Sequence, residues 1–237
     1  IFTIIAQVTW CCRINNLNYI VIKSDVIKRE YTVAYKLVDK EIYAGPQLNE
    51  IDQIQERLTI EEINEESSIL NNRCIGKSDA NYMRPRNFDN NQKINGINFE
   101  SAFSNSVVVY LHDFIDSPGI YGSNLFNDQY DWLNRIYKIW VREGSGNLIF
   151  KLHPNFSSIN KDIINGIIKT GDFEKVIWTS DDFTISDLKN FVCNAVLTMF
   201  GSVIFEATFF SIPVISCANY PGRGYNLSNE CNTVGEF

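Results

Sequence analysis

The segment from residue 195 to residue 217 constrains the fold of this chain more than any other. Its first five residues form an apolar run of the length expected for a buried parallel strand, and Gly201 and Ser202 interrupt that run. The crowded apolar residues that follow contain one charge, Glu206, which predicts a short helix packed against a sheet. Residues 214–216 then form a second apolar run. The segment therefore predicts a β-α-β unit whose glycine turn lies at the carboxyl end of a strand, where open α/β sheets bind ligands.

The glycine turn itself has two interpretations. The backbone N–H groups of Gly201 and Ser202, together with the hydroxyls of Thr198 and Ser202, form a group of donors suited to a phosphate at a helix N-terminus. Serine is also a favoured N-cap in any helix. The turn by itself therefore does not distinguish a phosphate site from an ordinary cap.

From residue 106 onward, short apolar runs alternate with helical patterns. The predicted strands cover residues 107–111, 148–152, 176–179, 195–199 and 214–216. Helical patterns follow Asp128, recur around residues 163–168 and 185–191, and occupy the segment after Ser202. Strands that alternate with helices imply right-handed crossovers and a mostly parallel sheet. The predicted fold class is therefore α/β, with a Rossmann-type sheet flanked by helices.

Residues 1–104 carry weaker patterns. Strand-like stretches and one acidic stretch with helical spacing occur before residue 72. The strand-like stretches cover residues 1–10, 19–23 and 31–37, and residues 38–42 could form a turn that makes the last of them part of a hairpin. The acidic stretch with helical spacing covers residues 49–71. Between Asn72 and Asn105 apolar residues become sparse, which is typical of a linker. The basic residues of this stretch, such as Arg73, either contact an anionic substrate or are simply solvated.

The change of pattern near residue 105 suggests two regions. We predict a partial N-terminal region with a linker over residues 1–104, and a Rossmann-like domain over residues 105–237 that we expect to be truncated. The chain lacks an initiator methionine and ends without a terminating element, so we expect a fragment of a longer protein.

Composition argues against several classes of function. The net charge is −7 and no basic stripe is present, so we expect no nucleic-acid partner. No apolar run approaches the roughly 18 residues of a membrane span, and the apolar start is too short for a signal peptide. We expect a cytoplasmic protein and leave open a peripheral association with the inner face of the plasma membrane.

The chain offers few residues for a metal site. Its six cysteines lack CxxC spacing and are expected to be reduced core thiols. The presence of only two histidines argues against a Cys/His zinc site, and no Asp-x-Asp pair is present to hold Mg²⁺ with a diphosphate. We therefore expect no metal and no cofactor.

Both histidines follow predicted strands of the same sheet. His153 comes directly after a strand that ends in Lys151, and Pro154 fixes the backbone beyond it. Histidine donates hydrogen bonds to charged groups near neutral pH, so His153 is a candidate to hold a phosphate or leaving group. A histidine satisfied at a strand end is the alternative.

A second polar cluster follows the neighbouring strand. It contains His112, Asp113 and Asp116. A carboxylate at this position could act as a general base, for which Asp116 is the candidate, and simple capping of the loop by aspartate is the alternative.

These motifs resemble those of bacterial GT-B glycosyltransferases that use nucleotide-activated sugars. The resemblance is strongest to capsule polysaccharide biosynthesis proteins, including those similar to Kdo transferases and bacterial sialyltransferases. It rests on a His-Pro motif at residues 151–154, a serine motif at 198–206, and the stretches 112–118 and 126–133. Residues 72–225 are covered, whereas the first seventy residues carry no motif of the family.

The resemblance implies a two-domain GT-B enzyme whose β/α half binds the donor and whose N-terminal region faces the acceptor. In such relatives the His-Pro histidine and the serine-motif hydroxyls hold the donor phosphate, which matches His153, Thr198 and Ser202. A glutamate on the following helix holds the ribose, which matches Glu206. Gly201 stands where sialyltransferases carry the first of two serines, which argues against a sialic acid donor.

The predicted function is metal-independent, inverting transfer of a sugar such as Kdo from a CMP-linked donor to a glycan or glycolipid in capsular or surface polysaccharide synthesis. Two alternatives remain: a CDP-glycerol-type glycerophosphotransferase, and a non-catalytic GT-B-like module of polysaccharide assembly or export. The candidate residues are His153 and Asp116 for catalysis; Lys151, Pro154, Thr198, Gly201, Ser202 and Glu206 for the donor; and His112, Asp113 and Arg223 for substrate. Arg223 lies in a glycine-rich segment that either closes over the donor or forms a plain surface turn.

Overall fold

The structure of the protein is a computed structural model. It describes residues 20–27, 30–37, 52–53, 55–77, 93–94, 97–114, 125–154, 157–179, 183–191, 193–218, 220 and 223–237. The predicted strand at residues 1–10, the predicted turn at 38–42 and the candidate base Asp116 lie outside the described residues.

Before the main sheet, the described residues include two hairpins and two helices. They are β1 (Ile20–Ile27), β2 (Glu30–Leu37), α1 (Ile60–Cys74), β3 (Lys93–Ile94), β4 (Ile97–Asn98) and α2 (Phe99–Phe103). The predicted strand at 31–37 is confirmed, and its antiparallel partner is the strand that precedes it. α1 begins where Thr59 and Glu62 form a capping box, in which each side chain accepts from the other residue's backbone N–H, at 3.2 and 3.0 Å.

A six-stranded parallel sheet forms the centre of the described structure. Its strands are β5 (Ser106–Tyr110), β6 (Asn147–Lys151), β7 (Ile177–Thr179), β8 (Cys193–Thr198), β9 (Val214–Ser216) and β10 (Asn229–Glu230). Their spatial order is β10-β9-β8-β5-β6-β7, and every neighbouring pair is parallel. The predicted α/β fold class is confirmed.

The strand order reverses between β5 and β8. After β5 the chain adds β6 and β7 on one side, then crosses to the other side and adds β8, β9 and β10. The loops that follow β5 and β8 therefore leave the sheet in opposite directions, and a crevice opens between them. Such a switch point is where doubly wound α/β folds bind ligands.

In the described part of the chain, these strands are accompanied by the helices α3 (Gln129–Glu143), α4 (Ser158–Thr170), α5 (Ile185–Leu188) and α6 (Val203–Phe209). Asp128 and Ser157 cap α3 and α4, since each side chain accepts a hydrogen bond from a backbone N–H of the first turn. α4 ends at Gly171, whose φ of 75° is the left-handed conformation that favours glycine.

The short helix α2 belongs to the core of the sheet although it lies within the predicted linker. Phe99 and Phe103 are buried there, and the Phe103 ring centroid is 4.9 Å from that of Phe183. Phe99 packs against Phe191 at 5.2 Å. The predicted division of the chain at residues 104 and 105 stays a prediction.

Among the described residues, no helix combines the length and the apolar character that a membrane span requires. No group of three or more histidine, cysteine, aspartate or glutamate side chains within the described ranges could hold a metal ion.

Candidate functional site

The carboxyl ends of β5, β6 and β8 bring three of the predicted segments to one edge of the sheet. His112 follows β5, His153 follows β6, and the glycine turn follows β8. Because β5 lies between β6 and β8, His112 lies between the other two segments. Its ring centroid is 5.7 Å from that of His153 and 4.2 Å from that of Phe200. The two histidines of the chain therefore adjoin each other at the switch point.

A cavity of about 420 Å³ opens at this edge. Its described lining consists of His112, Asp113, Phe114, Asn127, Asp128, Gln129, Tyr130, Ile163, Ile167, Met199 and Phe200. The loop after β5 is held in place by the buried Asn160 of α4, which accepts a hydrogen bond from the backbone N–H of Phe114 at 2.8 Å. The cavity thus combines mostly apolar walls with a polar group from each of several elements.

Gln129 is a cavity residue that the sequence analysis did not identify. It is the first residue of α3, and its side chain is 8% exposed. Neither its amide nitrogen nor its amide oxygen has a hydrogen-bond partner among the described residues. An unsatisfied buried polar group costs roughly 1–3 kcal/mol, and such groups are rare in native proteins. No local sequence signal marks this burial, because it depends on how α3 meets the loops after β5 and β8.

The glycine turn differs from an ordinary helix cap. Gly201 has a φ of +129°, and an added Cβ there would meet nothing within 4 Å. Ser202 precedes α6, but its hydroxyl makes no capping bond and instead donates to Glu206 Oε1 at 2.8 Å. Thr198 is buried, and its hydroxyl donates to the carbonyl oxygen of Phe200 at 2.9 Å. Both hydroxyl protons are therefore engaged within the protein.

Ser202 and Glu206 face α1. The buried Glu206 carboxylate accepts from Ser202, and Arg73 Nε of α1 lies 3.7 Å from its Oε1. A second cleft of about 480 Å³ between α1 and α6 is lined in part by Arg73, Ser202 and Phe205. The predicted ribose ligand Glu206 thus has a cationic partner from a helix that precedes the sheet. His112 lines the first cavity and Ser202 lines the second cleft, and neither described lining contains both residues.

Lys151 points into an aromatic environment. The residue is 1% exposed, and its Nζ lies 4.9 Å from the ring centroid of Phe183 and 5.1 Å from that of Tyr110. Nζ also donates to the carbonyl oxygen of Leu152 at 3.3 Å. The rings favour the ammonium through cation–π attraction. A direct contact between Lys151 and a donor phosphate would require the side chain to leave this position. Pro154, the other donor candidate of this motif, directly follows His153 at the sheet edge.

Arg223 joins a network near the end of the chain. Its Nε lies 3.8 Å from Glu230 Oε2, and it donates to Asn232 Oδ1 at 2.6 Å. The Tyr220 hydroxyl donates to Glu230 Oε1 at 3.1 Å, and burial raises the pKa of Tyr220 to about 12. The described cavity lining does not include Arg223, so its predicted role toward substrate stays a prediction.

Comparisons with known proteins show the fold. No protein-family model matches the chain, and no curated protein sequence matches it. Two similar solved structures are those of KpsC from Thermosulfurimonas dismutans, described as a beta Kdo 2,7 transferase and a beta Kdo 2,4 transferase. The first is 12% identical, with a TM-score of 0.50 over 94% of this chain and 67% of that one. The second is 12% identical, with a TM-score of 0.53 over 97% of this chain and 70% of that one. The chain therefore shares its α/β architecture with two Kdo transferases.

Proposed function

We propose that this chain is the donor-binding part of a capsule-type glycosyltransferase that transfers a sugar from a CMP-linked donor without a metal ion, with Kdo as the leading sugar. One observation carries the proposal. Two adjacent histidines lie at the switch point, where His112 also contacts Phe200, the residue before the open turn at Gly201. The chain shares this fold with two Kdo transferases.

The chemistry of transfer needs charge stabilisation on the departing nucleotide. When the bond between the anomeric carbon and the phosphate oxygen breaks, negative charge grows on the phosphate. In their protonated forms His112 and His153 both donate to anions, and a phosphate between them would offset the repulsion between the two imidazolium groups. The backbone at Gly201 is also accessible to a ligand, since nothing occupies the space beside its Cα. These groups can stabilise a leaving phosphate without a metal ion.

The acceptor hydroxyl requires a base. Asp113 lines the cavity beside His112, and Asp116 is the base that the sequence predicts. We assign the base to this loop. The aspartate closer to the acceptor would take the hydroxyl proton as the new glycosidic bond forms.

Calorimetric titration with CMP tests the proposed phosphate site. The loss of one charged hydrogen bond corresponds to roughly tenfold to a hundredfold weaker binding, and we expect this for His153→Ala and His112→Ala. Ser202→Ala is expected to weaken binding less, because its hydroxyl already donates to Glu206. Ser158→Ala, at an exposed position on α4, is the matched control and should bind as the unchanged protein does. If both histidine variants bind CMP as tightly as the unchanged protein does, the proposed site is ruled out.

Product analysis tests the reaction itself. Mass spectrometry of mixtures with CMP-, CDP- and UDP-linked donors should reveal transfer from the CMP-linked sugar. Transfer of glycerol phosphate from CDP-glycerol would instead identify a glycerophosphotransferase. CMP binding without turnover of any donor would favour a non-catalytic module.

A further inference from the structure

We propose that α1 and α6 form a docking groove for a basic amphipathic helix of a partner protein. The groove consists of the cleft between the two helices, lined by Glu66, Leu70, Phe205 and Phe209, and of its continuation along α1 to Ile63. Its described lining shares no residue with that of the cavity at the switch point. The proposal therefore holds whether or not the chain binds a nucleotide.

Most of α1 is exposed to solvent. Residues 60–69 are all exposed, and only near the end of the helix is Leu70 half-buried and Cys74 buried. The exposed part is about 15 Å long. A helix of this length is marginal in water without a packed face, and the capping box at Thr59 supports only its first turn. A second helix against one side of α1 would therefore stabilise it.

An apolar side of α1 continues from the core into solvent. Leu70 packs against the core, and Ile63 lies two helical turns before it on the same side of the helix. Ile63 is 40% exposed. On α6, Phe205 and Phe209 lie one turn apart on a shared face, both line the cleft, and Phe209 is 41% exposed. The two helices therefore present apolar side chains along one groove.

The shape of the groove favours a helix over a small molecule. The cleft has a volume of about 480 Å³, but the exposed apolar residues extend beyond it to Ile63 and to Ile60, which is 62% exposed. A small ligand is usually enclosed on most sides and fixed by a few polar groups. An amphipathic helix instead places apolar residues at positions i, i+3, i+4 and i+7 along a groove. The spacing of Ile63 and Leu70 matches this pattern.

The charge on α1 specifies a basic partner. Residues 60–72 contain four glutamates and neither lysine nor arginine. The glutamates are Glu61, Glu62, Glu65 and Glu66, all exposed, and they form two like-charge pairs at i and i+4, which destabilise a helix. The helix dipole favours the two in the first turn, but it does not account for Glu65 and Glu66. Lysine or arginine side chains beside the groove would relieve both repulsions.

The cation at the inner end of the cleft does not alter this charge. Arg73 lines the cleft, and its Nε lies 3.7 Å from Oε1 of the buried Glu206 carboxylate. The two opposite charges offset each other at this distance. The exposed glutamates therefore set the charge along the groove.

The same charge argues against other occupants. An anionic membrane or a nucleic acid would bring further negative charge to the glutamates. A second copy of the chain carries its own net charge of −7 and the same four glutamates. A helix whose apolar face is flanked by lysine or arginine fits both the apolar groove and the acidic side chains beside it.

Binding of model peptides to the full chain tests the groove. Fluorescence anisotropy is measured with a labelled peptide of leucine and lysine whose leucines lie on one helical face. One comparison peptide has glutamate in place of lysine, and another has its leucines and lysines scrambled so that no apolar face forms. We expect binding of the first peptide only. Its affinity should fall as the salt concentration rises, because salt screens the attraction between charges.

An apolar variant tests whether the peptide binds in the groove. Phe209→Ala should bind the lysine peptide at least about tenfold more weakly, because an aromatic anchor of the interface is lost. Ile159→Ala removes an apolar side chain of α4 that is 57% exposed. It is the matched control and should bind as the unchanged protein does.

Charge variants test the chemistry of the partner. The double variant Glu62→Gln with Glu66→Gln should bind about threefold to tenfold more weakly, with a shallower dependence on salt. Glutamine also serves in a capping box, so the start of α1 is retained. Glu143→Gln with Glu174→Gln removes the same charge at two other exposed positions and should leave the affinity and its salt dependence unchanged.

Several results would overturn the proposal. If either comparison peptide binds as tightly as the lysine peptide, or no peptide binds, the groove does not take a basic amphipathic helix. Equal losses in the groove variants and their controls would show non-specific attraction.

Two further measurements would assign the groove to another occupant and overturn the proposal in that way. One is a dimer in sedimentation that Phe209→Ala dissociates, which would indicate a second copy. The other is flotation with phosphatidylglycerol vesicles that Phe209→Ala abolishes, which would indicate a membrane. None of these results depends on CMP binding, so the proposed function is tested separately.

Discussion

Gly201 shows how one backbone angle fixes the turn at the sheet edge. Its φ of +129° lies in a region that residues with a Cβ rarely adopt, and no atom lies within 4 Å of the position a Cβ would take. We expect Gly201→Ala to lower the free energy of unfolding by roughly 1–3 kcal/mol through backbone strain alone, measured by urea titration. Gly166, exposed within α4, is the control. There alanine should raise stability by about 0.5–1 kcal/mol. Equal stability of Gly201→Ala and the unchanged protein would contradict the assigned conformation.

The cysteines allow a prediction about reactivity and pH. Burial raises the pKa values of Cys193, Cys217 and Cys231. Because the thiolate is the reactive form, a raised pKa leaves less thiolate at neutral pH, and reactivity should increase only as the pH rises further. We expect iodoacetamide at pH 7.5 to modify these thiols more slowly in the native protein than in urea, as followed by peptide mass spectrometry. Equal rates in the two states would show that these thiols are exposed.

Side-chain direction was the least predictable property at the residue scale. The sequence places Lys151 beside His153, but its ammonium lies between rings of Tyr110 and Phe183, and Phe183 comes 32 positions later in the chain. Likewise Glu206 is predicted from its spacing to Ser202, whereas its partner Arg73 comes from another helix. Spacing along one element predicts local pairs, but not contacts that form only when distant elements meet.

At the scale of elements, α3 connects local capping with the cavity. Asp128 caps the helix by accepting from the backbone N–H of Asp131 at 2.8 Å, and the next residue, Gln129, lines the cavity. Asp128→Ala should lower the free energy of unfolding by about 1 kcal/mol in urea titrations, since it removes the acceptor. Asp128→Asn keeps an accepting oxygen and loses only the favourable charge, so about 0.5 kcal/mol is expected. Equal losses in the two variants would show that charge, not the capping bond, stabilises this end.

Elements with a strong local signal were predictable, and short elements were not. The strands β5 to β9 are short apolar runs bounded by glycine, proline or helical patterns, and each lies within about two residues of its predicted position. The strand β10 has two polar residues and was not predicted. The helix α2 has five residues, too few for a helical period to appear, and it lies in a stretch rich in asparagine. The sequence therefore predicted the sheet and the edge that carries the histidines, but not the helix that closes its core.

At the scale of the whole molecule, α2 bears on where the sheet domain begins. The predicted boundary at residues 104 and 105 would separate Phe99 and Phe103 from the strands, yet both rings lie in the core that contains Phe183 and Phe191. The buried Cys74 at the end of α1 belongs to the same core. A sheet domain that starts before residue 99 is therefore the alternative to the predicted boundary.

Matched phenylalanine truncations test this boundary. The Phe103 side chain is 0% exposed, so Phe103→Ala should lower the free energy of unfolding by about 3–5 kcal/mol, a large part of the 5–15 kcal/mol typical of a domain. Phe209 is 41% exposed on α6, and Phe209→Ala should cost about 1 kcal/mol or less. Urea unfolding followed by circular dichroism gives both values. A large loss confined to Phe103→Ala, within one cooperative transition, would extend the domain to include α2. Similar small losses in the two variants would instead favour a domain that begins at residue 105, with α2 only resting against it.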